Sequence, residues 1–147
     1  MSLRTWVVGH NEIAVLGEGW YDRSPEWFGL PYRESFPRAT LRVPVLGVGD
    51  RLTLLLSSNL GLRRGEQQTS LRVGENKLEF TLKPQLHGIC WQTVSLDIRS
   101  SVSKEKERIL AIESEGWRHG DIEEVPDFRE VGVLLAAVFL RSPKRGA

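Results

Sequence analysis

The chain has a single cysteine, almost no net charge and no apolar run of membrane-spanning length. The one cysteine, Cys90, excludes an internal disulfide and the cysteine clusters of structural zinc sites. Twenty Lys and Arg against nineteen Asp and Glu leave a net charge of +1, so no overall field attracts nucleic acid or a lipid surface. The longest apolar run, residues 131–140, is far shorter than the about 20 residues that cross a bilayer. We therefore expect no nucleic-acid partner and no membrane insertion.

Signals for export and for catalysis are also scarce. The N-terminal sequence MSLRTWVVGHNE lacks the apolar core of a signal peptide, which predicts a cytoplasmic protein. The chain contains neither a P-loop nor a Gly-x-Gly-x-x-Gly motif. His10, His87 and His119 stand far apart, and the acidic loop at 121–127 lacks the ligand spacing of an EF-hand calcium site. We expect no metal and no cofactor. A glycoside-active enzyme, which would need two converging carboxylates, is the lesser alternative.

Short segments rich in Val, Leu, Ile and Thr, separated by turn residues, run through most of the 147 residues. Residues 39–44 alternate between apolar and polar, and residues 50–57 are almost continuously apolar, so we expect both strands to lie inside a sheet. Residues 69–73 and 77–82 flank Gly74-Glu75-Asn76 and predict a hairpin. Further strands are predicted at 90–98, 108–112 and 131–140.

Two of these segments have helical alternatives. Residues 131–140 could form a short buried helix, and Ser103 could cap a helix at 103–112, which we interpret instead as a charged loop followed by a strand. Many short strands with almost no helix predict an all-β chain, a two-sheet antiparallel β-sandwich of jelly-roll type. We expect one domain over residues 1–147, with a tail or linker at 141–147.

Half of the twelve aromatic residues fall between positions 20 and 36, in GWYDRSPEWFGLPYRESF. Their irregular spacing among Gly, Pro and charged residues fits neither a helix nor a strand, and it predicts a structured loop or edge segment. Such a segment binds a flat ligand or closes one end of the sandwich. Sugar rings have an apolar face and a rim of hydroxyls, so carbohydrate sites combine a stacking aromatic with planar hydrogen-bonding groups.

Two stretches of the chain have that composition. The first contains Trp20, Tyr21, Glu26, Trp27, Tyr32 and Arg33, and the second contains Trp117, His119, Asp127 and Arg129. In the binding hypothesis Trp20 or Trp27 stacks on a sugar ring while Arg33, Glu26 or Asp22 bonds its hydroxyls. In the structural alternative the aromatics fill the core and its ends, and carboxylate–arginine pairs among Glu26, Arg33, Asp127 and Arg129 lock the loops together.

Three short motifs follow one another along the chain. They are Gly19-Trp20 followed by Glu26, Arg33 followed by ATLRVP at 39–44, and Asp127-Phe128-Arg129 followed by Val131-Gly132. This order resembles a bacterial β-sandwich module that occurs alone or attached to glycosyltransferases and other envelope-polysaccharide proteins. Glu34 departs from the aromatic that follows the Arg in that module, and Val131 departs from its Leu.

The resemblance implies a non-catalytic accessory or carbohydrate-binding-like module in the setting of glycan synthesis. Its implied partners are carbohydrate and a fused or separate glycosyltransferase. The alternative function is a structural or protein-interaction domain that forms a homodimer through an exposed sheet face or edge strand.

Overall fold

The structure is a computed structural model that describes residues 2–22, 31–44, 46–58, 66–83, 90–102, 108–118 and 129–143. Regular structure in these ranges is β-strand, apart from a short 3-10 helix at Glu12–Ala14. No helix within them is long and apolar enough to cross a membrane. The strands are β1 (Ser2–Val7), β2 (Arg33–Glu34), β3 (Arg38–Arg42), β4 (Arg51–Ser58), β5 (Gln67–Val73), β6 (Asn76–Leu82), β7 (Gln92–Asp97), β8 (Ile109–Ser114), β9 (Trp117–Arg118), β10 (Glu130–Val131) and β11 (Val133–Ser142).

Nine of these strands form two antiparallel sheets that share one core, and β9 and β10 pair with each other as a separate two-stranded ribbon. The first sheet has the order β1-β11-β4-β7, with β2 also paired to β11, and the second has the order β3-β8-β5-β6. Successive long strands alternate between the sheets except at the β5–β6 hairpin, which is the connectivity of a jelly roll. The predicted two-sheet antiparallel β-sandwich is confirmed.

The core consists of aliphatic side chains on the inner faces of both sheets. Leu52, Leu54 and Leu56 of β4 are fully buried, as is Leu41 of β3. β4 pairs with β11 on one side and β7 on the other, as its apolar sequence predicts. Residues 133–138 of β11 are all buried, so this segment is a strand covered on both faces and the helix alternative is wrong.

The prediction that residues 39–44 lie inside a sheet is wrong, because β3 is the outer strand of the second sheet. The N-terminal segment covers its free edge: Thr40 N donates to Glu18 O (2.8 Å) and Arg42 N donates to Val15 O (2.7 Å). Leu16 and Leu41 form a bridge between the two segments. Alternation reports that one face of a strand is buried, and it does not distinguish an inner strand from an edge strand whose rim is covered.

The predicted hairpin is confirmed, with Val73 paired to Asn76 and Gly74 in the left-handed region at φ 57°. The last strand ends later than predicted. β11 continues to Ser142, which pairs with Ser2, so two residues assigned to the tail belong to the first sheet. The predicted charged loop at 103–107 lies outside the described residues.

Candidate functional site

The two stretches selected by composition meet at one end of the sandwich. The guanidinium carbon of Arg129 lies 4.9 Å from the centre of the Tyr21 ring. The Tyr21 hydroxyl donates a 2.7 Å hydrogen bond to the carbonyl of Glu130, a residue 109 positions away. Tyr21 N also donates to the carbonyl of Glu34 on β2 (3.0 Å). Tyr21 therefore joins β2 to the segment that contains Arg129.

Phe36 supplies an exposed ring beside this contact. Its ring centre is 4.5 Å from that of Tyr21, edge to face at 75°, and 43% of the residue is exposed. Our sequence reasoning placed Phe36 in the aromatic cluster but not among the candidate binding residues. The signal that points to it is spacing, because positions 32, 34 and 36 share one face of an extended chain.

Glu34 holds Arg129 in place over the Tyr21 ring. Its Oε1 lies 3.4 Å from Nη2 of Arg129, with the Glu34 side chain 12% exposed and the Arg129 side chain 46% exposed. Glu34 is also the position at which the sequence departs from the aromatic of the module it resembles. A carboxylate at this position orients a guanidinium, which an aromatic ring would not do by ion pairing.

Arg33 belongs to a buried network instead of an exposed surface. Its Nε lies 3.4 Å from Oε2 of Glu12, with side chains 15% and 8% exposed respectively. The same carboxylate oxygen accepts from Gly9 N (3.0 Å), and Arg33 Nη1 donates to the carbonyl of Tyr21 (3.1 Å). Arg33 therefore anchors the backbone on which the Tyr21 ring is mounted. Two ion pairs therefore hold this end together, one between Arg33 and Glu12 and the other between Arg129 and Glu34.

Trp20 packs against the core instead of presenting a ring face. It is half-buried, and its Nε1 donates a 2.9 Å hydrogen bond to the carbonyl of Thr40. Gly19 before it has φ 88°, and an added Cβ would lie 2.3 Å from the carbonyl of Arg38. The Gly-Trp motif thus has a packing origin, and Trp20 fits the structural alternative.

A second aromatic pair consists of Tyr32 and Trp91, with ring centres 6.2 Å apart and planes tilted by 57°. The registers align Arg33 of β2 with Gln92 of β7 across β11 and β4, so the neighbouring Tyr32 and Trp91 lie at the same end of the first sheet as Glu34. Trp91 Nε1 and the adjacent Gln92 Nε2 are shielded from solvent and have no hydrogen-bond partner among the described residues. A buried donor without an acceptor costs about 1–3 kcal/mol of stability.

We name the combined set of side chains the aromatic rim. Its members are Phe36, Tyr21, Arg129, Glu34, Tyr32 and Trp91.

The structure describes no side chain for the five remaining candidate residues of the sequence analysis. Glu26, Trp27, His119 and Asp127 lie outside the described residues, as does the acidic loop at 121–127, and for Trp117 only the backbone in β9 is described. In the described part of the chain, no three His, Cys, Asp or Glu side chains converge as metal ligands do.

No protein-family model and no curated protein matches the chain. Among solved structures, a variant of a family 29 carbohydrate-binding module is similar with 8% identity and a TM-score of 0.47, over 95% of this chain and 91% of that chain. Another family 29 carbohydrate-binding module has 11% identity and a TM-score of 0.42, over 95% and 90%. The cleaved adhesin domain of the Lys-gingipain of Porphyromonas gingivalis has 14% identity and a TM-score of 0.47, over 97% and 91%. Scores at this level identify neither a family nor a ligand for this chain.

Proposed function

We propose that this protein is a non-catalytic carbohydrate-binding module whose ligand contacts the aromatic rim. One observation carries the proposal: the exposed ring of Phe36 lies in a single cluster with the guanidinium of Arg129 and the carboxylate of Glu34. An exposed aromatic face accommodates the apolar face of a sugar, and planar charged groups bond the hydroxyls at its edge.

Each member of the cluster has a defined part in this proposal. Phe36 stacks on the ring, and the half-exposed Arg129, with its several N–H donors, bonds ligand oxygens. Tyr21 is already enclosed by Arg129 and by the edge contact with Phe36, so it positions both side chains without stacking on the sugar itself. The rim is thereby fixed before the ligand arrives, which reduces the entropy lost on binding.

The carboxylates near the rim support a binding role over glycoside catalysis. Glu34 and Glu12 each face an arginine. Glycoside hydrolysis uses one carboxyl group as an acid and a second as a base or nucleophile on the other side of the bond, and both must face the substrate. Association with glycan synthesis and with a glycosyltransferase rests on the resemblance in motif order and is part of this proposal.

A homodimer is the competing proposal, and the exposed Leu3 on the edge strand β1 favours it. Part of that edge is occupied, however. The side-chain amide of Asn11 accepts from Val7 N (2.7 Å) and donates to the carbonyl of Thr5 (3.0 Å). We favour the rim because its groups match a ligand class, whereas Asn11 already occupies part of the backbone along the edge.

Glycan binding by the full chain and by two exposed-site variants tests the proposal. We expect the wild-type protein to bind at least one member of a panel of neutral and acidic oligosaccharides. Phe36→Ala should weaken that binding by about tenfold, the effect of losing one stacking contact. The matched control is Val48→Ala, because Val48 is also an exposed apolar residue (60%) but lies in the turn that precedes β4, at the opposite end.

Light scattering and thermal melting on the same samples complete the test. Unchanged melting of both variants assigns the loss of affinity to the ring and not to unfolding. The proposal is wrong if no glycan binds, or if folded Phe36→Ala binds as well as the wild-type protein. A concentration-dependent mass combined with an absence of glycan binding would support the homodimer instead.

A further inference from the structure

The outward face of the second sheet is an open groove. Two adjoining hollows of about 400 and 570 Å³ lie on it, and both are bordered by Glu113. The registers place Arg38, Glu113, Ser70 and Glu79 in one row across the four strands. Directly paired residues of antiparallel strands project from the same face, so this row crosses the whole sheet.

The hollows arise because small and long side chains alternate on this face. The short side chains of Thr40, Ala111 and Ser70 leave open space between the longer charged side chains around them. Arg38 and Glu113 form a loose ion pair at 3.8 Å, with side chains 75% and 58% exposed. Such a pair contributes little to stability, so its groups can turn toward a ligand at little cost.

The charges of the groove disfavour a polyanion. The described lining includes Arg38 and Arg72 beside Glu75, Glu79 and Glu113, and Lys77 pairs with Glu79, so the two signs of charge balance. Lys77 lowers the pKa of Glu79, mainly through a hydrogen bond (2.9 Å) and also through its positive charge. The Glu79 carboxylate therefore remains an acceptor in mildly acidic solution. Nucleic acids and phosphate-rich ligands require a positive excess, which this face lacks.

The groove is equally unsuited to an apolar helix or strand. Ile109, which is 46% exposed, is the large apolar side chain among the described lining residues, and the other lining groups are charged, hydroxyl-bearing or small. The groove combines guanidinium, carboxylate and hydroxyl groups, and this combination matches a neutral ligand that presents many hydroxyls.

The groove begins where the aromatic rim ends. Phe36 and Arg38 are two positions apart, so their Cα atoms are separated by about 7 Å at most. Pro37 lies between them, and its carbonyl accepts a 2.8 Å hydrogen bond from the backbone N of Ser114, a residue that borders the first hollow. The Phe36 end of the rim is therefore connected to the border of the groove through Pro37 and Ser114.

We infer that the ligand is an extended neutral polysaccharide chain, which contacts the aromatic rim at Phe36 and continues through the groove across β3, β8, β5 and β6. This inference rests on the proposed function and specifies its ligand. Four strands at the usual spacing span about 14 Å, a distance that several linked sugar rings fill and a single sugar does not. Affinity should therefore rise with the length of the chain.

Titration calorimetry with neutral gluco- and manno-oligosaccharides of increasing length tests this directly, with hexuronate oligomers as the charged comparison. For the wild-type protein we expect about tenfold tighter binding of the longest than of the shortest oligomer, as two further hydrogen-bonded contacts give. The double variant Arg72→Ala/Glu113→Ala should lose this dependence on length and keep its affinity for the shortest oligomer.

Two variants separate the groove from the rim. Phe36→Ala should weaken binding of every length, and Asp97→Asn, which alters an exposed charge on the other sheet, should change neither affinity nor its dependence on length. Equal wild-type affinity for short and long oligomers would overturn the inference and leave the proposed function standing. Retained length dependence in the double variant, or a preference for hexuronates, would also overturn it. Absence of binding at every length would overturn the inference, and it would overturn the proposed function as well if no member of the wider glycan panel binds.

Discussion

At the scale of single residues, the Glu12–Arg33 pair decides how the end of the sandwich is held. Both side chains are largely buried, and Arg33 also supports the Tyr21 carbonyl. Arg33→Ala would leave the Glu12 carboxylate buried without its counter-ion, so we expect the free energy of unfolding to fall by about 3–5 kcal/mol. Urea denaturation followed by circular dichroism measures this change.

Two comparisons separate the buried pair from charge in general. The double variant Glu12→Leu/Arg33→Met removes both charges together and should recover most of the lost stability. Arg51→Ala breaks a shorter pair, at 2.7 Å to Asp97, but both side chains are about half exposed, so we expect little change. Equal losses for Arg33→Ala and Arg51→Ala would contradict the assignment of Arg33 as an anchor.

Residue-level reasoning identified the neighbourhood of the rim and not the role of each ring. Composition selected Tyr21 and Arg129, and the structure brings them into contact. It also selected Trp20, whose ring packs on the core, and it omitted Phe36, whose ring is exposed. Composition counts aromatic rings, whereas exposure depends on which neighbours cover them, and those neighbours come from distant positions in the chain.

At the scale of elements, the free edge of β3 depends on the segment that contains Gly17. Gly17 N donates to the carbonyl of Thr40 (2.9 Å), and a Cβ at Gly17 would lie 2.3 Å from Thr40 Oγ1 and 2.9 Å from the Thr40 carbonyl. Gly17→Val should therefore push this segment off β3. Because Thr40 N and Arg42 N bond to that segment, we expect faster hydrogen exchange at these two amides, measured by NMR.

The β5–β6 hairpin provides the internal reference for that experiment. Its amides pair within the opposite edge of the second sheet, so their exchange should not change in Gly17→Val. Uniform acceleration over the whole sheet would mean that the variant is globally destabilised. Unchanged exchange at Thr40 and Arg42 would contradict the covering role of the segment.

Element by element, the apolar pattern was informative where one or both faces of a strand are buried. A continuous apolar run located β4, and alternation located β5, β6 and β7, each to within about two residues, the usual uncertainty of strand ends. It could not locate β2, β9 or β10, because two residues carry no periodicity. These short strands help to build the end that carries the rim, which explains why the fold was easier to predict than the site.

At the scale of the whole molecule, the first and last strands complete one sheet. β1 pairs along its full length with residues 137–142 of β11, from Val7 opposite Ala137 to Ser2 opposite Ser142. β11 is also the most continuously buried strand in the described part of the chain. The stability of the sandwich therefore depends on a contact between segments that are separated by nearly the whole sequence, a pairing that local patterns cannot reveal.

Removal of residues 2–7 tests this dependence. The deletion would leave an unpaired edge on an apolar strand, which is a template for association with other chains. We expect a lower melting temperature and a mass by light scattering that rises with protein concentration. The control is Leu3→Glu in the intact chain, because Leu3 is 62% exposed and its replacement leaves the backbone pairing in place. The contradicting outcome is a truncated chain that remains monomeric and melts at the same temperature as the wild-type protein. In that case β11 needs no partner on that side, and the pairing of the terminal strands does not stabilise the sandwich.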